Sequence, residues 1–216
     1  MKRLKRLMDY VPLITNETKR ILSGSLLIIA IIAFVLRKSE AALLCAIAMF
    51  FSLLGDFSLN PPSGKTRSNK KMYIGAGFFM IAHIIYAIAY CRMIYLSGMK
   101  FFNPLALIAV AFMIMFMLIC LVCVTHSKHR KSLGIAMFFV FGVYVLIIGG
   151  NFVTIWSYAG NHIGTLQSLC ALGALSFLSS DFIIGVETVF KVKNDILRKL
   201  VWILYPLGQI LIILCQ

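Results

Sequence analysis

Long apolar runs separated by short polar segments dominate the sequence. Seven runs contain few or no charged residues and are 16 to 26 residues long. A helix needs about 20 residues to cross the hydrocarbon core of a bilayer, which is about 30 Å thick. The pattern therefore predicts an all-α, polytopic membrane bundle with about seven transmembrane spans. The predicted spans are residues 21–36, 41–59, 72–90, 102–124, 133–156, 164–189 and 200–215.

The longest runs allow a second interpretation. Residues 133–156 and 164–189 both exceed the length that one span requires. The sequence Gly149-Gly150-Asn151 lies inside the first of them, and these residue types are typical of turns. A re-entrant turn at this point is the alternative to a continuous helix.

The distribution of Lys and Arg orients the bundle, because cytoplasmic loops are enriched in these residues. With a cytoplasmic N-terminus, the segments on that side hold 17 of the 21 Lys and Arg residues. The opposite side then holds only Arg37, Lys38, Arg92 and Lys100. We therefore expect the N-terminus in the cytoplasm and the C-terminus on the other side.

The composition excludes several classes of protein. Hydrophobic residues make up 61% of the chain and charged residues 13%, whereas soluble domains average about 45–50% and 25%. A soluble enzyme, a secreted disulfide scaffold and a disordered chain are therefore excluded. The net charge of +14 falls in the loops, so we expect membrane lipids rather than nucleic acid as its partner.

The chain divides into two predicted regions. Residues 1–20 form a basic cytoplasmic segment, and residues 21–216 form a single transmembrane domain. The apolar stretch 10–14 is too short for the core of a signal peptide. We expect a multi-pass integral membrane protein. In a bacterium it would lie in the cell membrane, which is the inner membrane, and in a eukaryote it would lie in the endoplasmic reticulum. Nothing in the pattern indicates the oligomeric state.

Two aspartates lie inside the apolar runs. Asp56 is three residues before the end of the second run, and Asp181 is eight residues before the end of the sixth. Both runs lead toward the cytoplasm, so a rise of 1.5 Å per residue places the carboxylates ~5 to ~12 Å below the same interface. Ionisable groups at such depth indicate function. The alternative is a carboxylate that reaches the interface or pairs with a loop lysine.

Other polar side chains accompany them. His83 lies near the middle of the third span, with Tyr86 on the same helix face. Tyr205 and Gln209 share a face of the last span. Tyr144, Asn151 and Ser52 are weaker candidates for additional hydrogen bonds.

The sequence lacks the motifs that several kinds of catalysis require. His83 is the only histidine predicted at depth, so neither a three-histidine zinc site nor an H-E-x-x-H motif is formed. A carboxylate-rich metal site of Asp56, Asp181 and His83 is a minor alternative. The chain has no G-x-S-x-G motif and no glycine-rich phosphate loop. We therefore expect no metal and no cofactor, and a serine esterase, a kinase and an ATP-driven pump are disfavoured.

These motifs together resemble the YhhN-type family of membrane lysoplasmalogenases. The similarity extends over about residues 40–215 in order and spacing. It rests on SLLGD at 52–56, GAGFF at 75–79, AHIIY at 82–86, GALSFLSSD at 173–181, Tyr205 and Gln209. Many members of that family carry eight spans, so the resemblance leaves an eighth span open.

The resemblance implies an ether hydrolase that acts on 1-alkenyl lysophospholipids. Its products are a fatty aldehyde and glycerophosphoethanolamine or glycerophosphocholine. A vinyl ether is hydrolysed by protonation of its β-carbon, and water then captures the oxocarbenium ion. The reaction needs a proton donor and a negative charge, and two carboxylates in different environments can divide these tasks.

The implied site contains three catalytic residues, Asp56, Asp181 and His83. As a hypothesis, the deeper Asp181 donates the proton, while Asp56 stabilises the cation or activates water; these roles can also be exchanged. The predicted contacts to substrate are made by Tyr86, Tyr144, Ser180, Tyr205 and Gln209. Basic residues of the loop between the second and third spans could attract the lipid phosphate; these are Lys65, Arg67, Lys70 and Lys71.

Two other functions use the same buried groups. A proton-coupled transporter or small channel is the main alternative, because buried Asp and His residues also form proton relays. A seven-span receptor is a weaker alternative, since the short loops leave little room for a soluble ligand.

Overall fold

The computed structural model describes residues 15–62, 68–126, 134–190 and 194–216. These ranges contain seven long α-helices, one short 3-10 helix at Leu166–Leu169 and no β-strand. The helices are α1 (Asn16–Arg37), α2 (Glu40–Leu59), α3 (Asn69–Leu96), α4 (Pro104–His126), α5 (Gly134–Gly160), α6 (Cys170–Phe190) and α7 (Asp195–Leu214).

The predicted all-helical membrane bundle is confirmed. Each of the seven helices is long and apolar enough to span a bilayer. An eighth span is not found in the described ranges. The predicted continuous span is confirmed at residues 149–151, where α5 continues as regular helix, so the alternative of a re-entrant turn is wrong. Of the predicted loop cations, Lys65 and Arg67 lie outside the described residues, as do residues 1–14 of the predicted N-terminal segment.

Polar caps mark where several helices begin. Thr15, Ser39, Ser68 and Asn194 each lie just before a helix and accept a hydrogen bond from a backbone N–H of its first turn. Such caps satisfy donors that the helix itself leaves unpaired. α1 therefore begins five residues before the predicted span, and it contains the basic residues Lys19 and Arg20.

The helices form a closed arrangement in which α1 packs against both α2 and α7. Further neighbours are α2 with α3, α3 with α5, and α5 with α6, while α6 packs tightly on α7. α4 packs mainly against α5. We call the end of the bundle at which α1 and α7 begin and α2 ends the proximal end. There Asn16 Nδ2 donates to the carbonyl of Pro61 at 3.0 Å, which holds the end of α2 against α1.

A glycine contact sets the close approach of α6 and α7. A Cβ atom at Gly208 would lie 2.9 Å from the carbonyl oxygen of Gly173 and 2.9 Å from the backbone nitrogen of Phe177. Small residues at such positions let two transmembrane backbones approach closely. The contact lies one turn after Tyr205 and one turn before Asp181, so it fixes how these two side chains are presented.

The bundle is apolar outside and partly polar inside. Isoleucines and leucines dominate its exposed surface, as expected for a surface that faces lipid. The interior holds buried polar residues in addition to an apolar core; they include Ser23, Ser52, Asp56, His83, Asn151, Ser180 and Gln209. Because burial of polar groups is unfavourable unless they are hydrogen-bonded, their partners define the candidate site.

Candidate functional site

The first cluster surrounds Asp56 on α2. The hydroxyl of Ser23 on α1 donates to Asp56 Oδ2 at 2.5 Å, and the phenol of Tyr205 on α7 donates to the same oxygen at 2.7 Å. Asp56 is only 4% exposed. Within the described residues no basic side chain forms an ion pair with this carboxylate, so hydroxyl groups rather than a cation hold it.

Local packing fixes the position of this cluster. Gly55 precedes Asp56, and a Cβ atom there would lie 2.7 Å from the ring of Phe79 on α3. The absent side chain therefore lets Phe79 pack directly against α2. The same ring meets the Tyr205 ring edge to face, with centroids 6.1 Å apart. Tyr205 is thus held by its ring as well as by its hydroxyl.

The second cluster surrounds Asp181 on α6. The phenol of Tyr144 on α5 donates to Asp181 Oδ2 at 2.6 Å, and His83 Nε2 on α3 lies 3.3 Å from the same oxygen. Asn151 on α5 completes the cluster, with its side-chain nitrogen 3.0 Å from His83 Nδ1. The side chains of His83 and Asp181 are 1% and 8% exposed, which makes this a buried histidine–carboxylate pair.

The surroundings of His83 fit two protonation states. If the Asn151 amide nitrogen donates to Nδ1, the imidazole is neutral and carries its proton on Nε2, toward Asp181. In this orientation the buried Asn151 Oδ1 has no hydrogen-bond partner among the described residues. Turning the amide by 180° places Oδ1 against Nδ1 instead, where it accepts a hydrogen bond from an imidazolium or from the other tautomer. Either orientation of the amide thus gives His83 Nδ1 a hydrogen-bond partner without the movement of a helix.

An aromatic ring contacts both clusters. Phe177 is buried and lies against the His83 ring, with centroids 4.6 Å apart, and against the Tyr205 ring, with centroids 5.5 Å apart. The charges of Asp56 and Asp181 are close enough to interact. The two carboxylates therefore belong to one site, which takes side chains from every helix except α4.

The two carboxylates share a bonding pattern. At each of them, both polar contacts reach the Oδ2 atom. In the part of the chain that the structure describes, no hydrogen bond involves the Oδ1 atom of Asp56 or Asp181. The described contacts of each carboxylate thus hold one of its two oxygens in place.

A third polar group lies outside this site. The Tyr86 phenol donates to Gln209 Oε1 at 2.6 Å, and Gln209 Nε2 donates to Ser52 Oγ at 3.3 Å. All three residues are buried, and they link α3, α7 and α2. Tyr86 and Gln209 are thus bonded to each other rather than to either carboxylate. Among the other predicted contacts, the Ser180 hydroxyl donates to the Phe177 carbonyl of its own helix at 2.7 Å.

Ser23 was not among the predicted site residues, although it makes the shortest contact to Asp56. Its signal in the sequence is weak, because a serine in an apolar span is usually a packing residue. The buried face of α1 consists of Ser23, Leu26, Ala30 and Ala33. A serine on this helical stripe faces the interior, and that spacing is the one feature that could have identified it.

No metal site is evident in the described ranges, where no group of three or more His, Cys, Asp and Glu side chains is suited to holding a metal ion. The site holds two carboxylates, an imidazole and two phenols in a bundle with an apolar exterior. Asp56, His83 and Tyr205 are buried, whereas Asp181 and Tyr144 are partly buried.

The chain belongs to the YhhN family, whose sequence pattern matches residues 19–215. The match includes all seven helices apart from short terminal pieces. No curated protein and no solved structure matches the chain. The protein is therefore a helical integral membrane protein of the YhhN family, with seven membrane-spanning helices in its described ranges.

Proposed function

We propose that this protein is an ether hydrolase that cleaves the vinyl ether bond of lysoplasmalogens, releasing a fatty aldehyde and a glycerophospho-alcohol. The main observation in support of this proposal is the pair of carboxylates inside the bundle, Asp56 and Asp181. Each is held through one oxygen by side chains from other helices. Family membership and the resemblance described above supply the substrate class. A membrane bundle also suits a substrate that resides in the lipid phase.

The reaction makes two demands on the site. A proton must be delivered to the β-carbon of the alkenyl chain, which turns the vinyl ether into an oxocarbenium ion. Water then adds to the carbon bonded to oxygen, and its excess proton passes to a base. The hemiacetal breaks into aldehyde and alcohol when a proton passes to the departing glycerol oxygen and the hemiacetal hydroxyl gives its own proton to a base. The sum is one water consumed and no net change in the enzyme.

Asp181 is the better candidate for proton donor. It contacts His83, and the Asn151–His83 arrangement accommodates an imidazole with or without the additional proton. A proton given to substrate through Oδ1 can therefore be replaced from His83. General acid catalysis of this kind contributes about 10²- to 10⁴-fold to a rate.

Asp56 fits the role of cation stabiliser. Ser23 and Tyr205 hold Oδ2 through hydrogen bonds, and Oδ1 is left for the oxocarbenium ion or for the attacking water. In the desolvated interior of the bundle, such a charge acts more strongly than it would in water. In this proposal Tyr205 acts through Asp56 rather than through the predicted contact to substrate.

The test is aldehyde release by purified protein in detergent. Three lysophospholipids with the same chain length are compared, one with a vinyl ether, one with a saturated ether and one with an ester. Wild-type protein should release aldehyde from the vinyl ether alone, and D56N and D181N should lower that rate at least 100-fold. Asp195→Asn is the matched control, because Asp195 is exposed at the start of α7 and bonded to Arg198. Wild-type rates in D56N and D181N would refute the proposal.

The transporter alternative draws on the same His83–Asp181 pair, since a buried imidazole and carboxylate also form a proton relay. The two functions differ in what they need. A hydrolase consumes its substrate in detergent without any gradient, whereas a transporter changes no covalent bond. Folded protein that releases no aldehyde, but moves protons when reconstituted in vesicles, would favour the transporter.

A further inference from the structure

Two basic side chains lie one helical turn from the Asp56 cluster. Lys19 and Arg20 are on α1, four and three residues before Ser23. The Lys19 ammonium lies 5.2 Å from the ring centroid of Trp202, and the Arg20 guanidinium lies 4.4 Å from that of Phe57. The Ser23 hydroxyl links these basic residues to the Asp56 cluster. It lies within donor distance of the Lys19 backbone carbonyl at 3.1 Å and of the Asp56 carboxylate at 2.5 Å.

These two cations differ from Lys70 and Lys71, which lie at the same end of the bundle. Lys70 and Lys71 are exposed, as expected for a solvated loop end, whereas Lys19 and Arg20 are half-buried against aromatic rings. A guanidinium packed on a ring keeps its N–H donors available in its plane. The Nε atom of Arg20 is shielded from solvent and has no hydrogen-bond partner among the described residues. A buried donor without an acceptor is unfavourable, and an anionic ligand would supply that acceptor.

We infer that Lys19 and Arg20 form the subsite for the phosphodiester anion of a lysophospholipid, next to the Asp56 carboxylate; this rests on the proposed hydrolase function. Arginine binds phosphate oxygens through paired N–H groups, and lysine binds them as a point charge. A side-chain rotation of Arg20 would bring Nε and a neighbouring terminal nitrogen to one phosphate. This assignment replaces Lys70 and Lys71, which are exposed at the start of α3, as the site of headgroup recognition.

The length of the substrate agrees with this placement. Six covalent bonds separate the phosphorus atom from the carbon of the vinyl ether that water attacks, a distance of about 7–8 Å when extended. The rise of an α-helix places Lys19 about 6 Å from Ser23 along α1. The charge of Lys19 is close enough to that of Asp56 to interact with it. A phosphate at Lys19 and Arg20 thus leaves the vinyl ether within reach of Asp56.

The experiment measures binding rather than turnover. Purified protein in a nonionic detergent is titrated by calorimetry with a saturated 1-alkyl lysophosphatidylethanolamine, which contains no vinyl group to protonate. Parallel titrations use the 1-alkylglycerol of the same chain length, which lacks the phosphate, and inorganic phosphate alone. The variants are K19Q, R20Q and the charge-retaining K19R. The matched control is the double variant K70Q/K71Q at the same end of the bundle, and size-exclusion chromatography confirms folding of each protein.

Wild-type protein should bind the lysophospholipid about tenfold more tightly than the alkylglycerol. K19Q and R20Q should each weaken lysophospholipid binding about 3- to 10-fold while leaving alkylglycerol binding within about twofold. K19R and K70Q/K71Q should behave like wild type. If K19Q does not fold, R20Q and K19R still test the assignment.

Three results would overturn the assignment. In the first, K19Q and R20Q lose as much affinity for the alkylglycerol as for the lysophospholipid. In the second, the control K70Q/K71Q loses as much affinity for the lysophospholipid as K19Q and R20Q do. In the third, inorganic phosphate binds as tightly as the lipid, which would indicate a site for the free ion. A phosphate preference that depends on Lys19 and Arg20 in protein without aldehyde release would uphold the subsite and refute the hydrolase. Aldehyde release by protein without a phosphate preference would uphold the hydrolase and refute the subsite.

Discussion

Tyr205→Phe isolates one of the two hydrogen bonds that hold Asp56. The Tyr205 ring packs edge to face against Phe79, Phe177 and Trp202, with centroid distances of 6.1, 5.5 and 5.7 Å. Phenylalanine preserves these contacts, so the variant removes only the hydroxyl. That hydroxyl donates at 2.7 Å to a carboxylate that is 4% exposed. Asp56 is then held by Ser23 alone.

The size of the loss depends on the charge of Asp56. A hydrogen bond to an ionised group contributes about 1.5–3 kcal/mol, and one between neutral groups contributes about 0.5–1.5 kcal/mol. If Asp56 acts as an anion that stabilises the oxocarbenium ion, removal of the Tyr205 hydroxyl should raise the transition-state free energy by the larger amount, about 1.5–3 kcal/mol. We therefore expect Y205F to lower kcat/KM about 10- to 150-fold. S23A should have a similar effect, and the double variant should lose less than the sum, because both hydroxyls donate to one oxygen.

The assay is aldehyde release from a lysoplasmalogen, accompanied by thermal unfolding in the same detergent. Tyr90→Phe is the matched control. The Tyr90 phenol on α3 donates at 2.6 Å to the backbone carbonyl of Ile212 on α7, which is a neutral acceptor. Y90F should lose about 1 kcal/mol of stability and keep its activity. Equal activity in Y205F and wild type, or equal activity losses in Y205F and Y90F, would refute a specific role for the Asp56 hydrogen bonds.

Two further variants test the helix contact and the histidine pair. Gly208→Ala should destabilise the protein by about 1–3 kcal/mol, since its Cβ would lie 2.9 Å from backbone atoms of α6; Gly24→Ala, which has nothing within 4 Å, should not destabilise it. Thermal unfolding measures both, and an unchanged midpoint in G208A would contradict the close contact. Asn151→Ala removes the partner of His83 Nδ1 and should lower kcat about tenfold with little change in KM. A loss confined to KM in N151A would instead place Asn151 in substrate binding.

The sequence predicted the spans well because a bilayer imposes a length and a polarity on each helix. Long apolar runs separated by charge leave few alternatives, and all seven helices lie close to their predicted positions. The exception is residues 149–151, where glycine suggested a turn. In α5 Gly149 instead provides room for a neighbour, since a Cβ there would lie 2.8 Å from the terminal methyl of Met113.

The aspartates could also be identified from the sequence, because a carboxylate in an apolar run is unfavourable without a partner. Which partner it has could not be predicted. Asp56 is three residues from the end of α2, yet its partners lie seven residues into α1 and ten residues into α7. The choice depends on the rotation and relative offset of three helices. Those are set by packing contacts such as the one between α6 and α7, and not by the spacing within any helix.

The most direct test of the central claim is to run the hydrolysis in D₂O and locate the deuterium in the fatty aldehyde by mass spectrometry after trapping. Acid catalysis at Asp181 and Asp56 delivers a solvent-derived proton to the β-carbon, so the account predicts one deuterium at carbon 2 of the aldehyde. D56N and D181N should form almost none of this product, while D195N forms it at the wild-type rate. Aldehyde without deuterium at carbon 2, or no aldehyde from folded wild-type protein, would contradict the account.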